Sequence, residues 1–192
     1  MSITLAGGSD AELVVLALGG SQDAYRELLA RHREPIYRLV RASTGDQHEA
    51  VDLTQETFVA AFSALNRFDM TRSFPVWLRQ IALNKCRDWA RRRRLRTILW
   101  RTAPIDAAHD MPDDSVPADI QTADRAELAR VNKAIMRLPS RLRETLILRT
   151  IEGLSQAETA EVMRISEKAV ETRLYRARSK LAALLEADHG AK

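Results

Sequence analysis

Side chains that can read a nucleic acid recur along one face of residues 168–181. Apolar residues at helical spacing, from Val170 to Leu181, mark the inward face of this stretch. The opposite face carries charged and hydroxyl groups that reach base edges and phosphates. Its members are Lys168, Glu171, Thr172, Tyr175 and Arg176. The pattern predicts a DNA-binding helix, although an ordinary basic surface helix has the same spacing.

The residues just before this stretch predict the elements that hold it in place. Ser155 and Glu158 form the S-x-x-E pattern of a capping box, so a short helix begins at this serine. A turn at residues 163–165 leads to Ser166, which is a favourable N-cap for the second helix. Two capped helices joined in this way predict a helix-turn-helix, a motif that also occurs in bundles that bind no DNA.

A second basic helix is predicted in the first half of the chain. Ser73 and Pro75 mark its start, because proline is tolerated in the first turn of a helix. Five arginines then occupy the six positions 91–96. This is more positive charge than a helix C-terminus needs to compensate its dipole. The cluster therefore predicts contact with phosphate groups.

A polar face is predicted on a third helix, EAVDLTQETFVAAFSAL, away from its apolar residues. It carries Asp52, Gln55 and Glu56, and from the residues alone a solvated surface explains them. With Asp88, two of these carboxylates could bind a metal ion in an enzyme that acts on nucleic acid. Asp52 and Glu56 share one helix, however, and the sequence shows no second set of metal-binding side chains that would converge with them. Neither a metal ion nor another cofactor is predicted.

Composition predicts a cytoplasmic protein without disulfides or membrane insertion. No apolar run approaches the roughly 18 residues that span a bilayer, and the first residues, MSITLAGGSD, lack the charged start of a signal peptide. The chain has 192 residues, one cysteine and four scattered histidines. An internal disulfide and a metal cluster are therefore not expected. Apolar neighbours predict that the Cys86 thiol is buried.

Charge divides the chain into three segments. Residues 1–97 carry 15 Lys and Arg against 11 Asp and Glu, residues 98–124 carry 1 against 6, and residues 125–192 carry 14 against 9. The middle segment is rich in proline and aspartate and has almost no apolar period, which predicts a flexible acidic linker. Two basic domains on either side of it suit a protein that binds a polyanion.

Apolar residues at helical spacing predict the remaining helices. Asp10 is predicted to cap a short first helix, and Ser21 to cap a longer one that runs to about Ser43. In the second domain, Pro139 ends one amphipathic helix and Ser140 is predicted to cap the next. No strand pattern is present in the sequence. The predicted fold is therefore all-α, with two small helical domains, the second of which contains the helix-turn-helix.

Together these motifs resemble the extracytoplasmic-function (ECF) class of bacterial sigma factors, the two-domain promoter-recognition subunits of RNA polymerase. The polymerase-binding helix of that family looks like AVDLTQETFVAAF, and its helix for the minus-10 promoter element looks like FPVWLRQIALNKCRDWARRRR. Its minus-35 reader is similar to LPSRLRETLILRTIEGLSQAETAEVM followed by TRLYRARSKL. The resemblance covers nearly the whole chain and keeps these motifs in the same order.

The resemblance implies roles for residues of the first domain. Contact with the clamp of the largest polymerase subunit would involve Asp52, Gln55 and Glu56. Asn84 would hold a flipped non-template base, since an amide can read an exposed Watson–Crick edge with both donor and acceptor. The loop from Asn66 to Ser73 would shape the pocket for that base. Nearby phosphates would be held by Arg91, Arg92 and Arg94.

For the second domain, the resemblance implies recognition of the minus-35 duplex by the outward face of the last helix. The residues concerned are Lys168, Glu171, Thr172, Arg173, Tyr175 and Arg176. Family members often have a basic residue near the start of this helix, where the present chain has Glu171. A glutamate repels phosphate but accepts a hydrogen bond from a cytosine amino group, so an unusual minus-35 sequence is expected.

The partners that the resemblance implies are core RNA polymerase and promoter DNA. A separate anti-sigma factor is expected as regulator in a stress or envelope response, because two small domains on a mobile linker can be held closed and the chain has no sensor segment of its own. The main alternative is a LuxR-type transcription regulator, whose DNA-binding domain also has four helices. Such regulators usually carry a phosphoacceptor or ligand-binding domain, and residues 1–97 lack the βα alternation that the former requires.

Overall fold

The structure is a computed structural model that describes residues 7–102 and 123–189. These residues form eight α-helices and no strand, which confirms the all-α prediction for the described part of the chain. In chain order the helices are α1 (Asp10–Leu18), α2 (Gln22–Thr44), α3 (Gln47–Ser63), α4 (Phe74–Thr102), α5 (Ala123–Met136), α6 (Ser140–Leu146), α7 (Gln156–Met163) and α8 (Glu167–His189). A 3₁₀ turn, Leu65–Arg67, follows α3, and a π-helical turn, Ile147–Ile151, follows α6.

Side-chain caps determine where the first three helices begin. Ser21 caps α2 and Asp46 caps α3, each by accepting a hydrogen bond from a backbone N–H of the following turn. At α1 the sequence prediction is wrong, because the cap is Ser9 rather than Asp10. Ser9 has an extended backbone and forms a reciprocal capping box with Glu12. Asp10 instead lies inside the first turn of the helix.

One apolar core holds α1–α4 together. Its fully buried side chains include Leu28 on α2, Leu53 on α3 and Leu78 on α4. Aromatic rings close one end, where Phe68 lies edge-on to Phe74 with ring centroids 5.6 Å apart. Burying one leucine contributes about 1.5–3 kcal/mol. The outward faces of α3 and α4 are therefore presented on a rigid bundle.

Helix α4 is longer than the charge pattern suggests. It begins at Phe74 with Pro75 in its first turn, as the proline predicted. It continues through Thr102, so residues 98–102 of the predicted linker are helical. At the other end, α5 begins at Ala123, within the predicted linker. Residues 103–122, which include most of the acidic linker, lie outside the described residues.

Helices α5–α8 make up the second domain. The predicted Ser140 cap is wrong, because Pro139 occupies the N-cap position of α6 and no side chain caps that helix. Pro139 has φ −53° and ψ 137°, so the chain turns at the proline and Ser140 is already the first helical residue. After the π-helical turn, Gly153 takes φ +66°. Glycine adopts this left-handed conformation without the strain that a side chain would add, and the chain can then enter α7.

The two domains pack against each other through apolar side chains. The core of the first domain continues without a break into residues of the π-helical turn and α7. The second-domain members of this shared core are Ile147, Leu148, Leu154, Val162 and Met163. The buried cluster that belongs to the second domain alone is smaller: Leu138, Leu146 and Ala177. Helical periodicity did not predict this contact, since it identifies inward faces but not what covers them.

We expect Asp10→Asn to destabilise the first domain in a pH-dependent way. Asp10 Oδ2 lies 2.9 Å from His32 Nε2, and this hydrogen bond, followed by the charges of His32 and Arg31, holds the pKa of Asp10 below its usual value against the effect of burial. A carboxylate whose pKa is lower in the folded than in the unfolded state stabilises the fold at pH values above its unfolded-state pKa. This contribution is lost as pH falls through the folded-state pKa. Because the carboxylate is partly solvated, the loss near neutral pH should be about 0.5–1 kcal/mol.

Urea unfolding near neutral pH and again at a pH below the folded-state pKa of Asp10 checks this expectation. Asp23→Asn is the matched control, because its ion pair with Arg26 is solvent-exposed and should contribute little. An equal destabilisation at both pH values would show that the carboxylate charge is not the cause.

Candidate nucleic-acid and polymerase interfaces

Helices α7 and α8 form the predicted helix-turn-helix, with caps at both starts. Ser155 Oγ accepts a hydrogen bond from the backbone N–H of Glu158 at 3.1 Å, and Glu158 Oε2 accepts one from the N–H of Ser155 at 2.7 Å. These bonds lower the pKa of Glu158. Arg164 ends α7 in the left-handed conformation, with φ 54°. Ser166 Oγ then accepts from the N–H of Ala169 at 3.2 Å, which starts α8.

Five of the six predicted minus-35 residues are exposed on α8: Lys168, Glu171, Thr172, Tyr175 and Arg176. Tyr175 is 75% exposed, more than any other large hydrophobic residue that the structure describes. Lys168 Nζ donates to Glu171 Oε2 at 2.9 Å, so the unusual glutamate has a cation beside it on the same face. The Thr172 hydroxyl donates to the backbone oxygen of Lys168 at 2.9 Å, which leaves its oxygen as an acceptor.

Arg173 is placed differently from the other five. It is half-buried and lines a cleft of about 430 Å³ between the two domains. Arg87 of α4 and Glu144 of α6 lie on the wall of the same cleft. Arg173 therefore lies beside the first domain and is less exposed than the other five predicted residues.

The predicted minus-10 residues of α4 are exposed. Asn84 lies on the helix surface, and its Oδ1 accepts a hydrogen bond from Arg87 Nη1 at 3.1 Å. This bond uses one of the two lone pairs of the amide oxygen and leaves the other as an acceptor. Near the helix end, Arg91 pairs with Asp88 at 2.8 Å. The exposed cluster continues with Arg92 and Arg94.

The loop between α3 and α4 brings two more of the predicted residues to the surface. Asn66 belongs to the 3₁₀ turn, so the irregular part of the predicted loop begins at Phe68. Asp69 accepts hydrogen bonds from the N–H and the hydroxyl of Thr71 at 2.9 and 2.7 Å. These bonds lower the pKa of Asp69 and give the loop a fixed turn. Asn66 and Ser73 are exposed on either side of that turn.

Asp52, Gln55 and Glu56 are all exposed on α3. Glu56 Oε2 lies 3.2 Å from Lys85 Nζ of α4.

Among the described residues, no group of three or more His, Cys, Asp or Glu is arranged to hold a metal ion. Cys86 is buried as predicted, and burial raises the pKa of its thiol to about 12. The thiol therefore stays protonated and unreactive at neutral pH.

An apolar groove that sequence reasoning missed lies beside Gln55. It has a volume of about 930 Å³ and runs between α2 and α3. Val51 and Val59 line it and are 43% and 67% exposed. The signal was present in the sequence, since these valines lie four residues before and after Gln55 and so share its face of the helix. Exposed valines on both sides of a polar residue are typical of a protein-binding surface.

Two buried carboxylates of the second domain face arginines of the first. Glu144 Oε2 and Oε1 accept hydrogen bonds from Arg87 Nη2 and Nε at 2.7 and 3.0 Å, and this pairing raises the pKa of Arg87. The Glu152 side chain is 1% exposed and lies 3.7 Å from both Arg38 and Arg79. Neither oxygen of Glu152 is hydrogen-bonded. Burial raises the pKa of Glu152 although both arginines lower it.

No helix among the described residues combines the length and apolar character that crossing a membrane requires.

Two known protein families match separate segments of the chain. Sigma-70 region 2 matches residues 28–96, and Sigma-70 region 4 matches residues 128–181. The first segment falls within α2–α4 and the second within α5–α8. The matched segments therefore coincide with the two domains of the structure.

Individual proteins match over almost the full length. The RNA polymerase sigma factor CnrH of Cupriavidus metallidurans is 40% identical over 94% of this chain and 96% of its own. The ECF RNA polymerase sigma factor SigM of Mycobacterium tuberculosis is 31% identical over 92% of this chain and 85% of its own. A solved structure of CnrH in complex with the cytosolic domain of CnrY superposes with a TM-score of 0.69 at 38% identity, covering 94% of this chain and 99% of that one.

We expect Ser155→Ala to loosen α7 without unfolding the rest of the protein. The substitution removes the cap bond to Glu158, which should cost about 1 kcal/mol, or about a fivefold faster amide exchange in α7. Hydrogen exchange followed by mass spectrometry measures this helix separately from the others. Ser179→Ala on the exposed face of α8 is the control, because it removes a hydroxyl from a helix interior and should leave exchange in α7 unchanged. Equal exchange in both variants would contradict the assigned cap.

Proposed function

Since the chain belongs to the extracytoplasmic-function family of RNA polymerase sigma factors, we propose that it binds core RNA polymerase and directs it to start transcription at specific promoters. The observation that carries the proposal is the pairing of an exposed helix-turn-helix face with an arginine-rich helix on a separate domain. The protein would act in the cytoplasm, where the DNA is, and would carry no catalytic residue itself. The LuxR alternative lacks support, because residues 28–96 match a sigma-factor region.

Binding to the polymerase would use the exposed polar face of α3. Its residues are Asp52, Gln55 and Glu56. The apolar groove beside Gln55 supports this assignment, because a partner that covers the polar face would also bury Val51 and Val59. Glu56 would exchange its contact with Lys85 for one with the partner. The polymerase clamp is the partner that the family resemblance implies.

Recognition of the minus-10 element would use α4 and the preceding loop. Asn84 would bind an extruded base, with Arg87 holding one lone pair of its amide oxygen. Asn66 and Ser73 would border the pocket. The phosphates nearby would be neutralised by Arg91, Arg92 and Arg94.

Recognition of the minus-35 element would place α8 in the major groove of duplex DNA. Arg176 and Lys168 would contact guanine or phosphate, and Thr172 and Tyr175 would add hydrogen bonds. Glu171 would accept from a cytosine amino group. Arg173, which is half-buried beside the first domain, would join this surface.

Control by a separate anti-sigma factor is part of the proposal. It is supported by the relative CnrH, which forms a complex with the cytosolic domain of CnrY. A partner of that kind would fit the groove between α2 and α3, where it would compete with the polymerase for Gln55. Release of such a partner would link transcription to a stress or envelope signal.

We expect Gln55→Ala combined with Glu56→Gln to reduce promoter-specific transcription through loss of polymerase binding. Central polar contacts of an interface contribute about 1–3 kcal/mol, so affinity for the core enzyme should fall about 5- to 150-fold. Run-off transcription and direct binding to purified core polymerase measure the two steps. Gln47→Ala, at the start of the same helix, is the control and should behave as the unsubstituted protein. If the double variant transcribes normally, this face of α3 is not the polymerase contact, and if the unsubstituted protein yields no promoter-specific transcript, the proposed function fails.

Asn84→Ala and Arg176→Ala should produce different defects. Losing Asn84 should reduce the discrimination between bases at one minus-10 position by about 1–3 kcal/mol. The reduction should also be seen on a pre-melted template. If Arg176 contacts phosphate, losing it should weaken minus-35 binding and reduce its salt dependence. If it contacts guanine, losing it should reduce the base preference at one minus-35 position. Competition over single-substitution promoter libraries, on duplex and bubble templates, separates these outcomes. A shift confined to the minus-35 region for Asn84→Ala would mean that the domains are assigned to the wrong promoter elements.

A further inference from the structure

The loop between α3 and α4 is attached to the first domain by an aromatic residue at each end. Phe68 precedes residues 69–73 and is 8% exposed, and Phe74 follows them and is 2% exposed. Both rings also contact Trp77, with centroids 5.0 and 5.7 Å from the indole. The proposed function places an extruded base beside this loop. Whatever holds the two phenylalanine rings therefore also holds the border of that pocket.

The hydrogen bonds of the loop are local. Thr71 donates to the carboxylate of Asp69, and the backbone N–H of Arg72 donates to the backbone oxygen of Asp69 at 3.0 Å. These bonds determine the shape of the loop without linking it to α1 or α2. The side chain of Arg72 also reaches Glu161 of α7 at 3.3 Å, and a partly exposed ion pair of this kind contributes little. The position of the loop in the first domain therefore depends on its aromatic ends.

His32 of α2 supports these aromatic ends from the side of α1. Its ring centroid lies 5.4 Å from that of Phe74, at an interplanar angle of 56°. On the other side, its Nε2 lies 2.9 Å from Asp10 Oδ2. A carboxylate only accepts hydrogen bonds, so Nε2 carries the proton and the bond holds the ring in one orientation. The imidazole is therefore fixed between the start of α1 and the start of α4.

Asp10 is itself held in place at the junction of α1 and α2. The capping box at Ser9 fixes the first turn of α1, to which Asp10 belongs. Arg31, the neighbour of His32 in α2, donates to the backbone oxygen of Gly8 at 2.6 Å. A continuous series of contacts therefore runs from the start of α1, through the imidazole, to the loop.

We propose that His32 is a positioning residue for the minus-10 base pocket, because its ring supports Phe74 and thereby the loop that borders the pocket. Only 13% of the His32 side chain is exposed, so the residue acts through Phe74 rather than on DNA. The bond to Asp10 seats the ring and stabilises the domain. This inference rests on the proposed function for its effect on base preference, but support of the loop is a property of the chain alone.

Two substitutions separate the ring of His32 from its hydrogen bond. His32→Gln keeps a donor for Asp10 but removes the ring from Phe74. His32→Phe keeps a ring against Phe74 but leaves the carboxylate of Asp10 without this donor. Ser21→Ala is the matched control, because it removes the cap of α2 and so destabilises the same domain at a site outside the aromatic cluster.

Hydrogen exchange followed by mass spectrometry, on the full chain alone, measures the loop, and urea unfolding measures the stability of the domain. In His32→Gln, the amides of residues 69–73 should exchange about fivefold faster or more, because a surface loop opens by local motion rather than by global unfolding. His32→Phe and Ser21→Ala should lower the urea midpoint but leave loop exchange within about twofold of the unsubstituted protein. Unchanged loop exchange in His32→Gln, with helix content retained, would overturn the proposal whatever the transcription result.

Transcription with core polymerase, in competition between promoters that differ at one minus-10 base, measures the consequence. His32→Gln should reduce the preference for the cognate base about threefold or more, because a loosely held border discriminates poorly. His32→Phe and Ser21→Ala should keep that preference. This pattern would not arise if His32 only stabilised the domain, since the two less stable variants would then be the less selective ones.

Two results would overturn the effect on base preference. One is a loosened loop in His32→Gln with unchanged preference, and the other is an equal loss of preference in His32→Gln and Ser21→Ala. If the unsubstituted protein yields no promoter-specific transcript, the proposed function fails, and loop exchange still decides whether His32 supports the loop. If His32→Gln loses helix content, His32→Leu, which also lacks the ring but is apolar, takes its place with the same expected loop exchange and base preference.

Discussion

The arrangement of the whole molecule depends on the apolar contact between the π-helical turn and the core of the first domain. Ile147 and Leu148 are fully buried, and they belong to the same cluster as the leucines of α2–α4. Exposing two such side chains would cost about 3–6 kcal/mol by area. That contact brings Glu144 and Glu152 against arginines of the first domain. It also places α7 against α4.

Local sequence signals predicted the parts of the structure that local chemistry determines. The Ser155–Glu158 capping box, the Ser21 cap and the first-turn position of Pro75 all depend on residues within a few positions of one another. The two wrong caps, at Asp10 and Ser140, each lie one residue inside the helix, because Ser9 caps α1 and Pro139 occupies the N-cap position of α6. Which of two neighbouring residues is the cap depends on where the backbone φ and ψ become helical, and residue type alone does not determine that.

Contacts between distant residues were beyond sequence reasoning. Asn84, Lys168 and the other exposed site residues were identified from motif and helical phase, and the structure leaves them on the surface. The family resemblance grouped Arg173 with them, yet it is half-buried and lines a cleft that Arg87 of α4 also lines. The pairing of Arg87 with Glu144 spans 57 positions. Periodicity identifies an inward-facing residue but not its partner.

In the proposed function, the two domains read separate promoter elements while joined to one polymerase. A promoter series in which the spacer is changed one base pair at a time tests it most directly, because each base pair moves the elements about 3.4 Å and turns them by about a tenth of a helical turn. Transcription by core polymerase with this protein should show a sharp optimum in spacer length. Substituting Arg176 should flatten that optimum while leaving minus-10 preference intact. Activity that is indifferent to spacer length would contradict two-point recognition.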